Sequence, residues 1–134
     1  VCRAFDAAIH DIRKRRVSKA DGYVYCTDLF RKLVGIGESV NINEVVQYIF
    51  TPVEPDQTST SFAFYSTEKQ DAQYVDEEGL ELLGSCTVPM PNTELGRKRK
   101  LNLDIKFGLT EFKATATDVT SNQSRTVMID FLSV

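Results

Sequence analysis

Side chains able to carry out catalysis are scarce in this sequence. Nucleophilic catalysis usually needs a histidine beside a serine or cysteine, and His10 is the single histidine of the chain. His10 lies in a polar stretch next to a basic run, where a solvated loop histidine is the simpler interpretation. Gly35-Ile36-Gly37 begins like a dinucleotide-binding motif but lacks its third glycine. The sequence therefore predicts a domain that is not an enzyme and has no catalytic residues.

The sequence gives equally little support for a metal-binding site. The chain has an odd number of cysteines, Cys2, Cys26 and Cys86, and they lack C-x-x-C spacing. This pattern favours reduced thiols in the core and a cytoplasmic location. We therefore expect no metal site and no cofactor in this domain. A disulfide between one pair stays open for an oxidising compartment. The acidic run at 76–78 lacks the spaced oxygens of a calcium loop and is typical of a solvated turn.

Two basic clusters offer an alternative, which is binding to an anionic surface. If the fold brings them together they could contact phosphates, although no aromatic residues interleave with them and the net charge is -3. Solvated loops are the competing interpretation, and neither nucleic acid nor a membrane span is predicted. The residues concerned are Arg13, Lys14, Arg15, Arg16, Arg97, Lys98, Arg99 and Lys100.

The elements that must position any site are strands. The stretch 99–118 predicts a β-hairpin, because apolar and polar residues alternate on both arms with the period of two that a half-buried strand requires. Gly108 lies at the reversal, where a tight turn often needs a glycine. The inward positions are Leu101, Leu103, Ile105 and Phe107 on the first arm and Phe112, Ala114 and Ala116 on the second.

Similar patterns recur along the chain and predict an all-β fold, an antiparallel β-sandwich of about eight strands forming one domain over residues 1–134. The strand at 45–51 is apolar on both faces, which favours a central position in a sheet. The stretch 6–21 is interpreted as a long exposed loop. Residues 28–34 stay ambiguous between helix and loop. The predicted strands are 1–5, 23–27, 45–51, 59–67, 82–90, 101–107, 111–117 and 125–132.

Aromatic residues are concentrated on two successive strands on either side of the loop 52–57. Core packing is the simpler explanation, and the alternative is that some of them line a hydrophobic groove in which an extended peptide docks. The residues are Tyr48, Phe50, Phe62, Phe64 and Tyr65.

Several short phrases of the sequence form a recognisable series. They are Asp21-Gly22, Cys26-Thr27-Asp28-x-Phe30, Glu38-Ser39-Val40, Tyr48-x-x-Thr51-Pro52, Tyr65-Ser66, Phe107-Gly108-x-Thr110-Glu111-x-Lys113-Ala114-Thr115-Ala116 and Ile129-Asp130-Phe131-Leu132. These phrases resemble the substrate-binding β-sandwich of heat-shock-70 chaperones, and most closely the divergent heat shock 70 kDa protein 12 branch. The resemblance covers the chain from about Asp21 to its end.

This resemblance implies a domain that binds extended hydrophobic peptides or client proteins in the stress response. It further implies a carboxy-terminal fragment of a longer protein, with ATP held in an amino-terminal actin-like domain that is absent here and is itself a partner. By strand order, the peptide pocket would include Phe50, Val53, Thr60 and Phe62. The sequence ends two residues after Leu132, so we expect no helical lid and short-lived peptide binding. The alternative is a regulatory or structural module that docks onto its ATPase domain or an anionic surface through the basic loops. The oligomeric state stays open.

Overall fold

A computed structural model of the chain describes residues 1–35 and 40–130. Nine strands lie within these ranges, together with single 3-10 turns at Ile12–Lys14 and Gly96–Lys98. The described part of the chain contains no helix with the length and apolar character needed to cross a membrane. The strands are β1 (Arg3–Ala4), β2 (Arg15–Val17), β3 (Val24–Cys26), β4 (Val45–Phe50), β5 (Ser59–Ser66), β6 (Glu81–Pro89), β7 (Leu101–Phe107), β8 (Glu111–Asp118) and β9 (Ser124–Asp130).

The predicted hairpin forms the centre of a four-stranded antiparallel sheet with the order β4-β7-β8-β9. Leu103 pairs with Ala116 and Ile105 with Ala114 across β7 and β8. All four of these side chains are at most 3% exposed, because the alternation places them on one face. The turn closes with a hydrogen bond from the N–H of Gly108 to the carbonyl oxygen of Glu111, at 2.7 Å.

A second layer covers the apolar face of this sheet. It consists of β5 and β6, which contribute Phe62, Phe64, Cys86 and Val88 to the main core. Because these residues alternate with exposed ones along both strands, one face of the pair is buried and the other is exposed. The prediction of an all-β antiparallel sandwich is confirmed.

A smaller sheet with the order β1-β3-β2 has its own core, in which Cys26, Leu29 and Tyr74 are buried and Phe5 packs against them. The predicted loop 6–21 therefore contains one strand that the sequence did not indicate. Strand β2 is exposed along its whole length. Since it buries no apolar face, its basic sequence gives no period-two signal.

One further expectation needs correction, and one alternative that the sequence left open is decided. Strand β4 is not central: it lies at the edge of the four-stranded sheet, and among the described residues it pairs with β7 alone. Its outward residues Val45 and Ile49 are 55% and 58% exposed. A strand that is apolar on both faces therefore lies here at the edge of a sheet and not at its centre. The stretch from 28 to 34 forms neither helix nor strand and makes one isolated bridge, between Leu29 and Tyr74.

Some predicted features lie outside the described residues. These are the phase of Phe131 in the last strand, the end of Gly35-Ile36-Gly37 and the first two residues of Glu38-Ser39-Val40. The three cysteines lie inside the described ranges and are free thiols. Cys26 and Cys86 are buried as predicted, whereas Cys2 is exposed and belongs to neither core.

Candidate functional site

A groove of about 820 Å³ lies between β5, the inner face of the four-stranded sheet and the irregular segment 29–35. Its aromatic floor contains two groups of rings, with ring centroids 5.3 Å apart for Phe50 and Phe62 and 5.5 Å apart for Phe64 and Phe112. Phe107 extends the floor at 5.9 Å from Phe112. Such tilted and edge-on arrangements are those that aromatic rings prefer. The floor is therefore apolar, and it is formed partly by core residues, since Phe62, Phe64 and Phe112 are at most 9% exposed.

The edge of β5 forms one side of the groove. Six consecutive residues, from Phe62 to Thr67, line the cavity. Because successive side chains of a strand point to opposite faces, a cavity lined by six in a row follows the edge of the strand rather than one face. β5 pairs with β6 on its other side, and within the described residues no strand pairs with this edge. Its backbone groups are therefore available to an added strand.

The opposite wall is the segment from Leu29 to Gly35, which is held in place although it has no regular structure. The N–H of Phe30 donates to the carbonyl oxygen of Gln73, and the N–H of Val75 donates to that of Asp28, both at 2.8 Å. Leu33 packs against the main core from this segment. This segment is thus held on one side by backbone hydrogen bonds to residues 73–75 and on the other side by the contact of Leu33 with the main core.

Cationic side chains lie at the mouth of the groove. The Arg31 guanidinium lies 4.9 Å from the ring centroid of Tyr48 and 5.5 Å from that of Phe50. Lys69 reaches the groove from the loop after β5 and forms an ion pair of 2.5 Å with Glu77. The same Glu77 carboxylate accepts the backbone N–H groups of Gln73 and Tyr74, each at 2.6 Å. The Lys69 hydrogen bond, followed by these N–H groups, lowers the pKa of Glu77 to about 2.

The four residues predicted for a peptide pocket separate into two pairs. Phe50 and Phe62 meet in the floor of the groove. Val53 and Thr60 do not line it. The Val53 carbonyl oxygen accepts a hydrogen bond of 2.8 Å from Nε of Arg97, and the Thr60 hydroxyl donates to the Met90 sulfur at 3.0 Å.

The groove also contains residues that sequence reasoning did not single out. Phe107 and Phe112 could have been found, since both are the large inward residues at the turn end of the hairpin. Arg31 carried no signal. Leu33 is one of the apolar residues at helical spacing in the stretch 28–34, but that spacing did not indicate a groove, and the structure forms no helix there.

Most of the eight predicted basic residues already have partners within the domain. Lys14 lies 3.1 Å from Asp28 and also pairs with Asp76, while Arg13 pairs with Asp11 at 2.6 Å. Arg16 donates to the carbonyl oxygens of Arg13 and Arg15. Of the rest, Arg15, Lys98 and Lys100 are exposed and make no side-chain ion pair with another described residue.

Arg97 and Arg99 have structural contacts. Arg97 pairs with Asp21 and lies 4.6 Å from the ring centroid of Tyr23, so it connects the small sheet to the loop after β4 through Val53. Arg99 is fully buried and donates to the carbonyl oxygens of Met90, Asn92, Pro55 and Gly96. The Asp21 carboxylate has a pKa well below its usual range because of its hydrogen bonds to Arg97.

His10 and the cysteines do not form a catalytic arrangement. Nδ1 of His10 accepts a hydrogen bond of 2.9 Å from the N–H of Asp6, and its ring contacts Phe5. Burial raises the pKa of the Cys26 and Cys86 thiols, which makes them poor nucleophiles. Within residues 1–35 and 40–130, no cluster of His, Cys, Asp and Glu side chains could hold a metal ion.

Comparison with known proteins relates the chain to heat-shock-70 proteins, although no protein-family model matches it. It is 33% identical over 116 residues to mouse heat shock 70 kDa protein 12A and 32% identical over 116 residues to the human 12A protein. It is 31% identical over 121 residues to human heat shock 70 kDa protein 12B. The chain is thus a homologue of a segment of the heat shock 70 kDa protein 12 branch, which confirms the predicted resemblance.

Each of these matches covers 84% of the chain. The chain itself spans about 17% of the length of the curated relatives it matches. It therefore corresponds to a small part of those proteins.

Proposed function

We propose that this domain binds extended apolar segments of client proteins in the groove beside β5, as a substrate-binding domain of a chaperone does. The observation that carries the proposal is the edge along Phe62–Thr67, with which no strand pairs in the described part of the chain, next to an aromatic floor. An extended peptide gains backbone hydrogen bonds from such an edge, and its side chains gain apolar contacts in the pocket. The two features together favour an extended chain over a compact small molecule.

The size of the groove supports this proposal. Its volume of about 820 Å³ lies within the usual range of ligand pockets, roughly 300–1,000 Å³. It accommodates a few apolar side chains and not a folded domain. A peptide bound in this position contacts Phe50 and Phe62, the two predicted residues that line the groove. Val53 and Thr60 make contacts within the domain and do not touch the peptide.

The relatives support a chaperone-like role in general and not peptide binding in particular, since their names identify them as heat shock 70 kDa proteins. ATP binding in an actin-like domain, and its coupling to peptide release, are expectations for a longer protein that follow from the resemblance. The alternative role of the basic loops has less support, because several of those residues are already bonded within the domain.

The test is a titration of the isotope-labelled chain with short extended peptides that carry a central leucine, followed by amide chemical shifts. We expect shifts at Phe50, Leu33 and the edge Phe62–Thr67 that persist at moderate salt, because apolar contacts are not screened. Methylation of alternate backbone nitrogens of the peptide should weaken binding, since it removes hydrogen bonds to the strand edge.

Leu33→Asn is the protein variant that tests the apolar contacts of the groove, because Leu33 lines the groove from the irregular segment. The control is Leu109→Asn at the hairpin tip, where the side chain is 81% exposed. Leu33→Asn should reduce peptide affinity and Leu109→Asn should not. Equal affinities for both variants, or shifts confined to the basic residues, would contradict the proposal.

A further inference from the structure

We propose that the groove selects apolar segments that carry an acidic residue next to the apolar side chain, with Arg31 as the residue that recognises the carboxylate. This inference rests on the proposed function and specifies its substrate class. It follows from the position of Arg31, from the charges around the groove and from the dimensions of an extended chain.

Arg31 is exposed at the mouth of the groove and lies against the rings of Tyr48 and Phe50. An arginine in contact with aromatic rings is restrained in orientation, so less entropy is lost when it binds a ligand. Its guanidinium has five N–H donors in a geometry that matches a carboxylate. None of these donors has a carboxylate or another hydrogen-bond acceptor among the described residues.

The described lining of the groove includes Arg31, Lys32 and Lys69 and contains no aspartate or glutamate. Lys69 is already paired with Glu77, so its charge is largely neutralised within the loop. A second cavity shares the stretch from Leu29 to Lys32 and is lined by Arg3 as well as by Asp6 and Asp71. Among the described residues, the lining of the aromatic groove thus has cationic side chains without acidic ones, and Arg31 is the exposed cation that lies against its apolar floor.

The geometry also indicates where the acidic residue lies in the bound segment. The Arg31 guanidinium is 5.5 Å from the ring centroid of Phe50, which belongs to the apolar floor. An extended chain advances roughly 3.3 Å per residue. A side chain packed on Phe50 therefore has a neighbour one or two positions away within reach of Arg31. A lysine at that neighbouring position would meet a like charge.

The experiment compares three peptides that share a central leucine and differ in the adjacent residues, which are Glu, Gln or Lys. Wild-type protein should bind the Glu peptide about three- to fivefold more tightly than the Gln peptide, as expected for a solvent-accessible ion pair, and the Lys peptide most weakly. The advantage of the Glu peptide should shrink as salt is raised.

Arg31→Gln should remove this ranking, while Arg31→Lys should restore part of it, since the charge returns without the planar fork. The control is Arg125→Gln, which removes an exposed arginine from β9 outside the groove and should leave the ranking unchanged. Amide spectra of each variant establish that the fold is intact.

The outcomes separate the two proposals. If all three peptides bind at the groove with equal affinity, or if the Lys peptide is preferred, the inference about Arg31 is wrong and the proposed function stands. The inference is also wrong if Arg31→Gln leaves the ranking in place. If none of the peptides binds, both proposals are wrong.

Discussion

Gly84 on β6 lies directly against Ile129 on β9, which belongs to the facing layer of the sandwich. A Cβ atom added at Gly84 would come 2.5 Å from Cδ1 of Ile129. Ile129 is 3% exposed and belongs to the main core, so its methyl group has little room to move. The absence of a side chain at Gly84 thus sets the spacing between the layers at this point.

Gly84→Ala should destabilise the domain because it overpacks this contact. We expect a loss of about 1–3 kcal/mol in the free energy of unfolding, as for other insertions into a packed core. Urea unfolding followed by circular dichroism measures it. The neighbouring Ser85→Ala, at an exposed position, is the control and should change the value by less than about 0.5 kcal/mol. Equal stability of the two variants would contradict this assignment.

Arg99 should be essential for the stability of the loops around it. It is fully buried and donates to four backbone carbonyl oxygens, including those of Met90 and Pro55. Arg99→Met keeps much of the volume but leaves these acceptors unpaired, and should cost about 2–4 kcal/mol. Thermal unfolding of Arg99→Met beside the exposed control Lys100→Met tests this, and a similar effect of both changes would show that the carbonyl contacts contribute little.

Glu77 should make the domain less stable in acid. Its pKa is about 2 in the folded chain against an ordinary value of 4.5. A carboxyl group with a depressed folded pKa stabilises the native state above its unfolded pKa, and this contribution is lost as pH falls from about 4.5 towards about 2. Unfolding free energies measured across this window should decline in the wild type. The decline should be shallower in Glu77→Gln, whereas the exposed neighbour Glu78→Gln should retain the wild-type slope.

The three thiols should differ in reactivity. Cys2 is exposed, whereas Cys26 and Cys86 are buried and have raised pKa values. An alkylating reagent under native conditions should therefore modify Cys2 first, and the other two should react only when denaturant is added. Mass spectrometry of the alkylated peptides distinguishes the sites. Rapid native labelling of Cys86 would mean that the sandwich opens more readily than its packing indicates.

The sandwich could be predicted from local patterns because each long strand buries one face. Leu103, Ile105 and Ala114 alternate with polar neighbours, and burial of one face leaves this alternation in the sequence. The edge position of β4 was mispredicted for a related reason. Apolar residues on both faces of a strand indicate a central strand or an open apolar edge equally well, and the choice depends on which strands pair with it.

The candidate site was predictable only in part. Phe50 and Phe62 were expected in the pocket from the resemblance, and they meet in the groove because they lie on strands of the two facing layers. Val53 and Thr60 were placed by counting along the strands, and their contacts with Arg97 and Met90 depend on loops that no pattern describes.

By itself, the sequence determined the strand-rich fold, the central hairpin and the relation to heat-shock-70 proteins, because alternation and sequence phrases are local properties. The tertiary structure alone decided that no strand of the described residues pairs with the outer edge of β5, that Arg97 and Arg99 serve the fold, and that Arg31 lies over Tyr48 and Phe50. The reason is physical: these features depend on contacts between residues far apart in the chain, and no local periodicity records them.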